Sequence, residues 1–248
     1  MNEAVLSKNK QGWDKVAERF FGRNPLPEYG PFAPNEEDVR LLGNLEGKRV
    51  LDIGCGSGHS LLYMEGQNAG ELWGIDLSCS QVSAARTVLK DCTVPVTLFE
   101  SPMEKNPGLP EGYFDLVYSI YALGWTTDLA QTVKNVAGYL KKNGVFIFSW
   151  EHPLYNRMTH NGDSLQMTKP YFEEGPYQHS GWNVPVTMQQ LKLSTYINTL
   201  SKQGLVIEQM VEEVSLSEKD AERHTNSWYT RERASFVPTT IIFKCRKA

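Results

Sequence analysis

The residues of this chain best placed to do chemistry fall within one short stretch, VLDIGCGSGHS at 50–60. An apolar run reaches Asp52 and then breaks into Gly54, Gly56 and Gly58. Glycines so closely spaced let the backbone turn tightly and approach a ligand without a Cβ in the way. A dinucleotide loop needs G-x-G-x-x-G, whereas the spacing here is G-x-G-x-G and His59 stands where the third glycine would be. Asp76 follows Gly56 by 20 residues, at the end of the next apolar run. From that place a carboxylate accepts hydrogen bonds from ribose hydroxyls; it can also cap the following helix. Asp52, two residues ahead of the first glycine, would repel a pyrophosphate and attract an ammonium group.

Together these residues predict a nucleoside ligand that carries positive charge. S-adenosylmethionine has a ribose, an ammonium and a sulfonium, while a nicotinamide dinucleotide has the ribose but two phosphates. Beyond the loop, His152 in SWEHP is the candidate general base, since imidazole titrates near neutral pH. The competing reading is a structural histidine bonded within a loop, and Glu151 is the weaker candidate base. His59, His160, His179 and His224 show no metal-ligand spacing. Cys55, Cys79, Cys92 and Cys245 contain no C-x-x-C pair, which predicts neither a zinc site nor a disulfide framework and suits a reducing compartment.

Alternating elements must position these groups. RVLDIG reads as a buried strand, SLLYMEG as a short helix, and ELWGIDLS as a second strand. SCSQVSAARTVLKD carries a capping-box signature, Ser78 and Gln81, before a helical period. VPVTLFES and YFDLVYSIYA are a third and fourth strand. DLAQTVKNVAGYLKKNG reads as a helix stopped at Asn143-Gly144, and VFIFSW as a fifth strand. MQQLKLSTYINTLSKQG is a further helix. LVIEQMVEE and FVPTTIIFKCRKA read as an antiparallel hairpin at the sheet edge, joined by a polar segment. This order predicts an α/β fold: a Rossmann-like, doubly wound, seven-stranded and mostly parallel sheet with helices on both faces. Two regions break the rhythm. Residues 1–45 hold a helix, WDKVAERFF, and a Pro-rich stretch, and residues 151–187 are irregular and aromatic; segments this long are either functional lids or variable surface decoration. The expected organisation is one domain: a helical cap (1–45), a ligand-binding core (48–150), a substrate-side insertion or lid (151–187), and a terminal helix with two strands (188–248).

With 25 Lys and Arg against 29 Asp and Glu, the net charge of −4 predicts no nucleic-acid partner. No apolar run approaches the roughly 18 residues of a membrane span. The first residues, MNEAVLSKNKQGW, lack a signal-peptide core. A cytoplasmic protein, monomer or homodimer, without membrane insertion is expected.

VLDIGCGSG, GIDLS, GYFDLVYS and AGYLKKNGVFIFS follow one another over Lys48–Ser149 in a pattern that resembles the class I S-adenosylmethionine-dependent methyltransferases. The likeness is to the small-molecule branch of ubiquinone and menaquinone biosynthesis methyltransferases (type 11). It implies that Asp52, Gly54, Cys55, Gly56 and Gly58 surround the methionine end of the cofactor. Asp76 would hold the ribose diol, with Leu77 against the adenine. Ser101, Pro102 and Met103 fall on the adenine-binding stretch, where Glu100 or Glu104 would supply the family's carboxylate. Ser119 matches the position beside the sulfonium. LKKNG stands where the family has LKPGG. S-adenosyl-L-homocysteine would be the product.

A sulfonium methyl is already electrophilic, so the protein mainly has to align a nucleophile behind it. Trp13, Tyr29, Tyr121 and Trp125 are candidate walls of that site or ordinary hydrophobic packing, the reading favoured for Trp13 in its amphipathic helix, with Tyr29 assigned to the methionine end or the lid. Tyr155, Tyr171, Phe172, Tyr177 and Trp182 predict an apolar or aromatic acceptor. The alternatives are an NAD(P)-dependent Rossmann oxidoreductase, disfavoured by Asp52 and the missing third glycine, and a non-catalytic S-adenosylmethionine-binding protein.

Overall fold

The computed structural model describes residues 2–23, 25–161, 164–179, 182, 184–216 and 228–248. His224 and the middle of the polar segment before the last strand lie outside them. The chain enters through α1 (Glu3–Val16), where the Asn2 side chain accepts from the Val5 N–H, and continues as a tight turn over Ala17–Phe20. This helix begins well before the expected Trp13. Its period was hidden because two of its four buried positions are Asn9 and Gly12. Asn9 is satisfied from outside the helix, giving its amide hydrogen to the Thr187 carbonyl at 2.8 Å and accepting the Thr187 N–H at 2.7 Å. A short α2 (Glu36–Val39) closes the Pro-rich region.

The apolar runs become β1 (Arg49–Ile53), β2 (Glu71–Asp76), β3 (Val96–Glu100), β4 (Phe114–Ile120) and β5 (Leu140–Glu151). Between them lie α3 (His59–Gly66), α4 (Cys79–Val88) and α5 (Leu129–Tyr139). The α5 helix ends before Asn143, because Leu140 leaves the helix in an extended conformation and starts β5. Asn143 turns instead within β5, at φ +62°.

Residues 151–187, expected to be irregular, contain two antiparallel ribbons. The first pairs β6 (Met158–Asn161) with β7 (Ser164–Met167). The second pairs β8 (Gly175–His179) with β9 (Val186–Gln190). Met188–Gln190 therefore belong to a strand, and α6 (Leu193–Lys202) begins after them. The chain ends with β10 (Leu205–Val211) and β11 (Thr240–Lys247).

The main sheet runs β10-β11-β5-β4-β1-β2-β3. The five central strands are parallel, while β11 lies antiparallel between β5 and β10. The terminal pair is thus threaded into the sheet with β11 inside and β10 outside. Alternate residues feed two cores, one on each face. Leu51, Ile53, Val117, Phe146 and Phe148 join α5 and α6 on one side. Val50, Leu116, Tyr118 and Ile147 join α3 and Ala85 of α4 on the other. Strand order reverses between β1 and β4, which opens a crevice at their carboxyl ends, the usual ligand position in such sheets.

Candidate functional site

Three elements meet at that crevice. The loop after β1 carries Gly54, Gly56 and Gly58, all at positive φ. Gly54 has a second reason to be glycine, since a Cβ there would stand 2.3 Å from the Ala122 Cβ, in the loop after β4. The end of β2 brings in Asp76. Its Oδ2 accepts the Gly56 N–H at 2.9 Å and its Oδ1 the Ser78 N–H at 2.8 Å. Ser78 caps α4 through the Gln81 N–H, but the reciprocal half of the expected capping box is missing because Asp76 has taken the Ser78 amide. The Gln81 side chain is left buried, with no hydrogen-bond partner for its Oε1 among the described residues.

The electrostatics follow from burial. Asp76 is raised to about 6 by loss of water, against the two amides that favour its charge. Asp52 is 3% exposed. Burial, with the Asp76 charge adding to it, pushes its carboxyl well above the ordinary range. The Cys55 thiol is pushed up for the same reasons. A buried carboxylate and a half-buried one so arranged favour a cationic guest.

A cavity of about 430 Å³ occupies the crevice. Of the expected cofactor residues, Asp52, Gly54, Cys55, Gly56, Asp76, Leu77, Ser101, Pro102 and Met103 line it, over the ends of β1, β2 and β3. Three others, and the candidate base His152, lie elsewhere. Gly58 caps the start of α3 and packs against Ala85 and Leu89. Ser119 is fully buried and its hydroxyl donates to the Ile53 carbonyl at 2.8 Å, tying β4 to β1. Tyr29 is fully buried and its hydroxyl donates to Glu36 at 2.6 Å. His152 is 4% exposed; its Nδ1 accepts the Leu154 N–H at 3.2 Å and its Nε2 meets Glu212 at 2.7 Å. With Nδ1 accepting, the proton sits on Nε2 and donates to Glu212, so both ring nitrogens are occupied. Between the two acidic candidates near β3, Glu104 lines the cavity, and Glu100 pairs with Lys10 at 2.8 Å.

The other half of the cavity, over β4 and β5, is aromatic. Tyr121, Trp125, Trp150 and Glu151 come from the strand ends, Trp13 and Phe20 from the N-terminal cap, Trp182 from the residues between β8 and β9, and Trp228 and Tyr229 from before β11. Trp13 meets Trp125 at 5.1 Å and Trp182 at 4.9 Å, nearly edge to face. Tyr121, at φ +53°, is a strained non-glycine residue of the kind found at ligand clamps. Of the remaining aromatics expected from the insertion, Tyr155 stacks on Tyr229 at 5.5 Å, Tyr177 donates to the Met188 sulfur, the Tyr171 hydroxyl accepts the Leu193 N–H at 3.0 Å, and Phe172 is 82% exposed. Arg19, Arg23, Gln81, Trp228 and Tyr229 also line the cavity and were not foreseen. They come from distant segments, and no spacing in the sequence connects them.

Residues 51–148 match the profile of a methyltransferase domain. An uncharacterized protein of Haemophilus influenzae is 31% identical over 84% of this chain and 85% of its own length. A crystal structure of an S-adenosylmethionine-dependent methyltransferase from Mesorhizobium loti superposes with a TM-score of 0.71 at 25% identity, covering 84% of this chain and 95% of that one. The chain belongs to the class I S-adenosylmethionine-dependent methyltransferases. A ubiquinone biosynthesis O-methyltransferase of Alkalilimnicola ehrlichii is 36% identical to this methyltransferase, over 45% of this chain. The match spans only 44% of that relative's length. S-adenosylmethionine is the cofactor of the family, and the polar half of the cavity suits it: the buried Asp52, the half-buried Asp76 and a Gln81 oxygen with no partner among the described residues face a loop that no Cβ obstructs at Gly54. Among the described residues no group of His, Cys, Asp and Glu could hold a metal ion, and no helix is long and apolar enough to cross a membrane.

Proposed function

We propose that this methyltransferase carries the methyl group of S-adenosylmethionine to a small-molecule acceptor by in-line displacement. The observation that carries the reading is the division of one cavity into a polar half over β1–β3 and an aromatic half over β4–β5. When bound, the cofactor supplies an electrophilic methyl on a sulfonium. Asp76 accepts from the ribose hydroxyls, and its bonds to Gly56 and Ser78 hold it at the loop. Asp52, with Gly54, Cys55 and Gly56, faces the methionine ammonium, and Leu77 and Ser101–Met103 lie against the adenine. Arg19 and Arg23, both exposed at the cavity wall, suit the methionine carboxylate.

The aromatic half orients the acceptor and excludes water. Orientation alone supplies about 7–11 kcal/mol of a displacement barrier. His152, engaged on both nitrogens outside the cavity, takes no part in this reading. The 151–187 segment closes one side through His179 and Trp182, which supports its assignment as a substrate-side cover. Thermal unfolding tests the proposal. S-adenosylhomocysteine at 100 times its Kd should add about 2.7 kcal/mol of stability; stabilisation by NADH in its place would overturn it.

A further inference from the structure

We propose that the aromatic half of the cavity takes a small amine, its ammonium paired with Glu151 and enclosed by tryptophan and tyrosine rings. This rests on the methyltransferase reading only for the division of the cavity, which leaves the β4–β5 side to the acceptor.

Glu151 is the last residue of β5, lines the cavity and is 2% exposed. Its Oε2 accepts the Trp228 indole N–H at 2.5 Å and the Tyr229 hydroxyl at 3.1 Å. Its Oε1 has no hydrogen-bond partner among the described residues. A buried acceptor left unmet costs about 1–3 kcal/mol, and a buried carboxylate calls for a cation or a proton. Burial raises the Glu151 carboxyl, while Trp228, Tyr229, the nearby Asn156 amide and the Arg233 charge oppose the rise. Arg233 does not answer the need directly. Its guanidinium donates to the carbonyls of Trp228, Tyr155 and Met158. It makes no ion pair with Glu151 among the described residues.

The rings around this carboxylate form a continuous wall. Tyr229 lies 6.1 Å from Tyr121, Tyr121 5.6 Å from Trp150, and Trp150 5.9 Å from Trp125. Aromatic faces attract cations by about 0.5–2 kcal/mol. A neutral hydroxyl could donate to Oε1, but it would gain nothing from the ring quadrupoles and would leave the carboxylate charge uncompensated. An ammonium satisfies all three features: the free acceptor, the buried negative charge and the ring faces. The opposite half of the cavity already has Asp52 for the cofactor's own ammonium, so Glu151 is a separate demand for positive charge.

Calorimetry on the full chain saturated with S-adenosylhomocysteine tests this, using benzylamine, phenethylamine and tryptamine against benzyl alcohol, phenethyl alcohol and tryptophol. Each amine should bind at least ten-fold more tightly than its alcohol. Glu151→Gln should reduce that preference to two-fold or less while leaving S-adenosylhomocysteine affinity unchanged. Trp228→Phe, which keeps a ring and the carboxylate, should retain the preference. Alcohols that bind as tightly as the amines, or a preference undiminished in Glu151→Gln, would overturn the proposal. If Glu151→Gln does not fold, the amine–alcohol comparison in the unaltered protein decides alone. Failure of the unaltered protein to bind S-adenosylhomocysteine would instead defeat the methyltransferase reading of the cavity.

Discussion

The Gly56 N–H donates to Asp76 Oδ2 at 2.9 Å, so the glycine loop and the carboxylate at the end of β2 form one unit. In the proposed binding mode, the ribose acceptor and the loop at the methionine end are therefore set together. Asp76→Ala removes an acceptor from the ligand and an anchor from the loop, and should weaken S-adenosylhomocysteine binding ten-fold or more. Because Asp76 titrates near 6, its share of the affinity has a defined pH dependence. Above that value the carboxylate accepts from the ribose; below it the added proton removes acceptor capacity. Affinity should fall as pH drops through about 6, and Asp76→Asn should lack that component. Calorimetry from pH 5 to 8 on both proteins measures the difference.

Gly54→Ala places a Cβ 2.3 Å from that of Ala122 on a backbone with φ +79°. Overpacking costs about 1–3 kcal/mol, and the left-handed conformation adds about 1–2 kcal/mol. A loss of several kcal/mol in urea unfolding is expected. Gly66→Ala, on an exposed helical residue with nothing within 4 Å of the new Cβ, should be neutral or stabilising by up to about 1 kcal/mol.

His152→Gln should leave S-adenosylhomocysteine affinity within two-fold while lowering stability by about 1–2 kcal/mol, since the ring bridges the Leu154 amide and Glu212. Unfolding and binding measured on the same preparation separate the two effects. A large loss of affinity at unchanged stability would return His152 to the site.

Glu104 is 5% exposed and accepts from the Thr126 hydroxyl at 2.8 Å and from the Thr127 amide and hydroxyl. These bonds hold the turn that presents Trp125. Glu104→Ala should cost about 1–3 kcal/mol and shift the tryptophan fluorescence, because Trp125 would lose its seat against Trp13 and Trp182.

Much of the polar half of the cavity was legible because its residues are consecutive or end strands whose apolar runs are plain. Asp52, Gly54, Cys55 and Gly56 follow β1, Asp76 and Leu77 end β2, and Ser101–Met103 follow β3. Strand ends in a parallel sheet converge at one edge, so position along the chain predicts position in the crevice. Ser119 and Gly58 share that logic yet miss the cavity, because which way a side chain turns depends on pleat and packing. Ser119 points at the Ile53 carbonyl, and Gly58 lies under α4.

The sequence by itself determined the sheet, the glycine loop and the cofactor, since each is written in local spacing. Only the tertiary structure decided the aromatic half. Trp13, Trp125, Trp150, Trp182 and Trp228 are separated by tens of residues and meet in one cavity. Glu151, a weaker candidate than its neighbour His152, enters that cavity, while His152 is drawn away by Glu212. Successive residues at a strand end face opposite sides of the sheet, and only the packed neighbours on each side determine which of them meets a ligand.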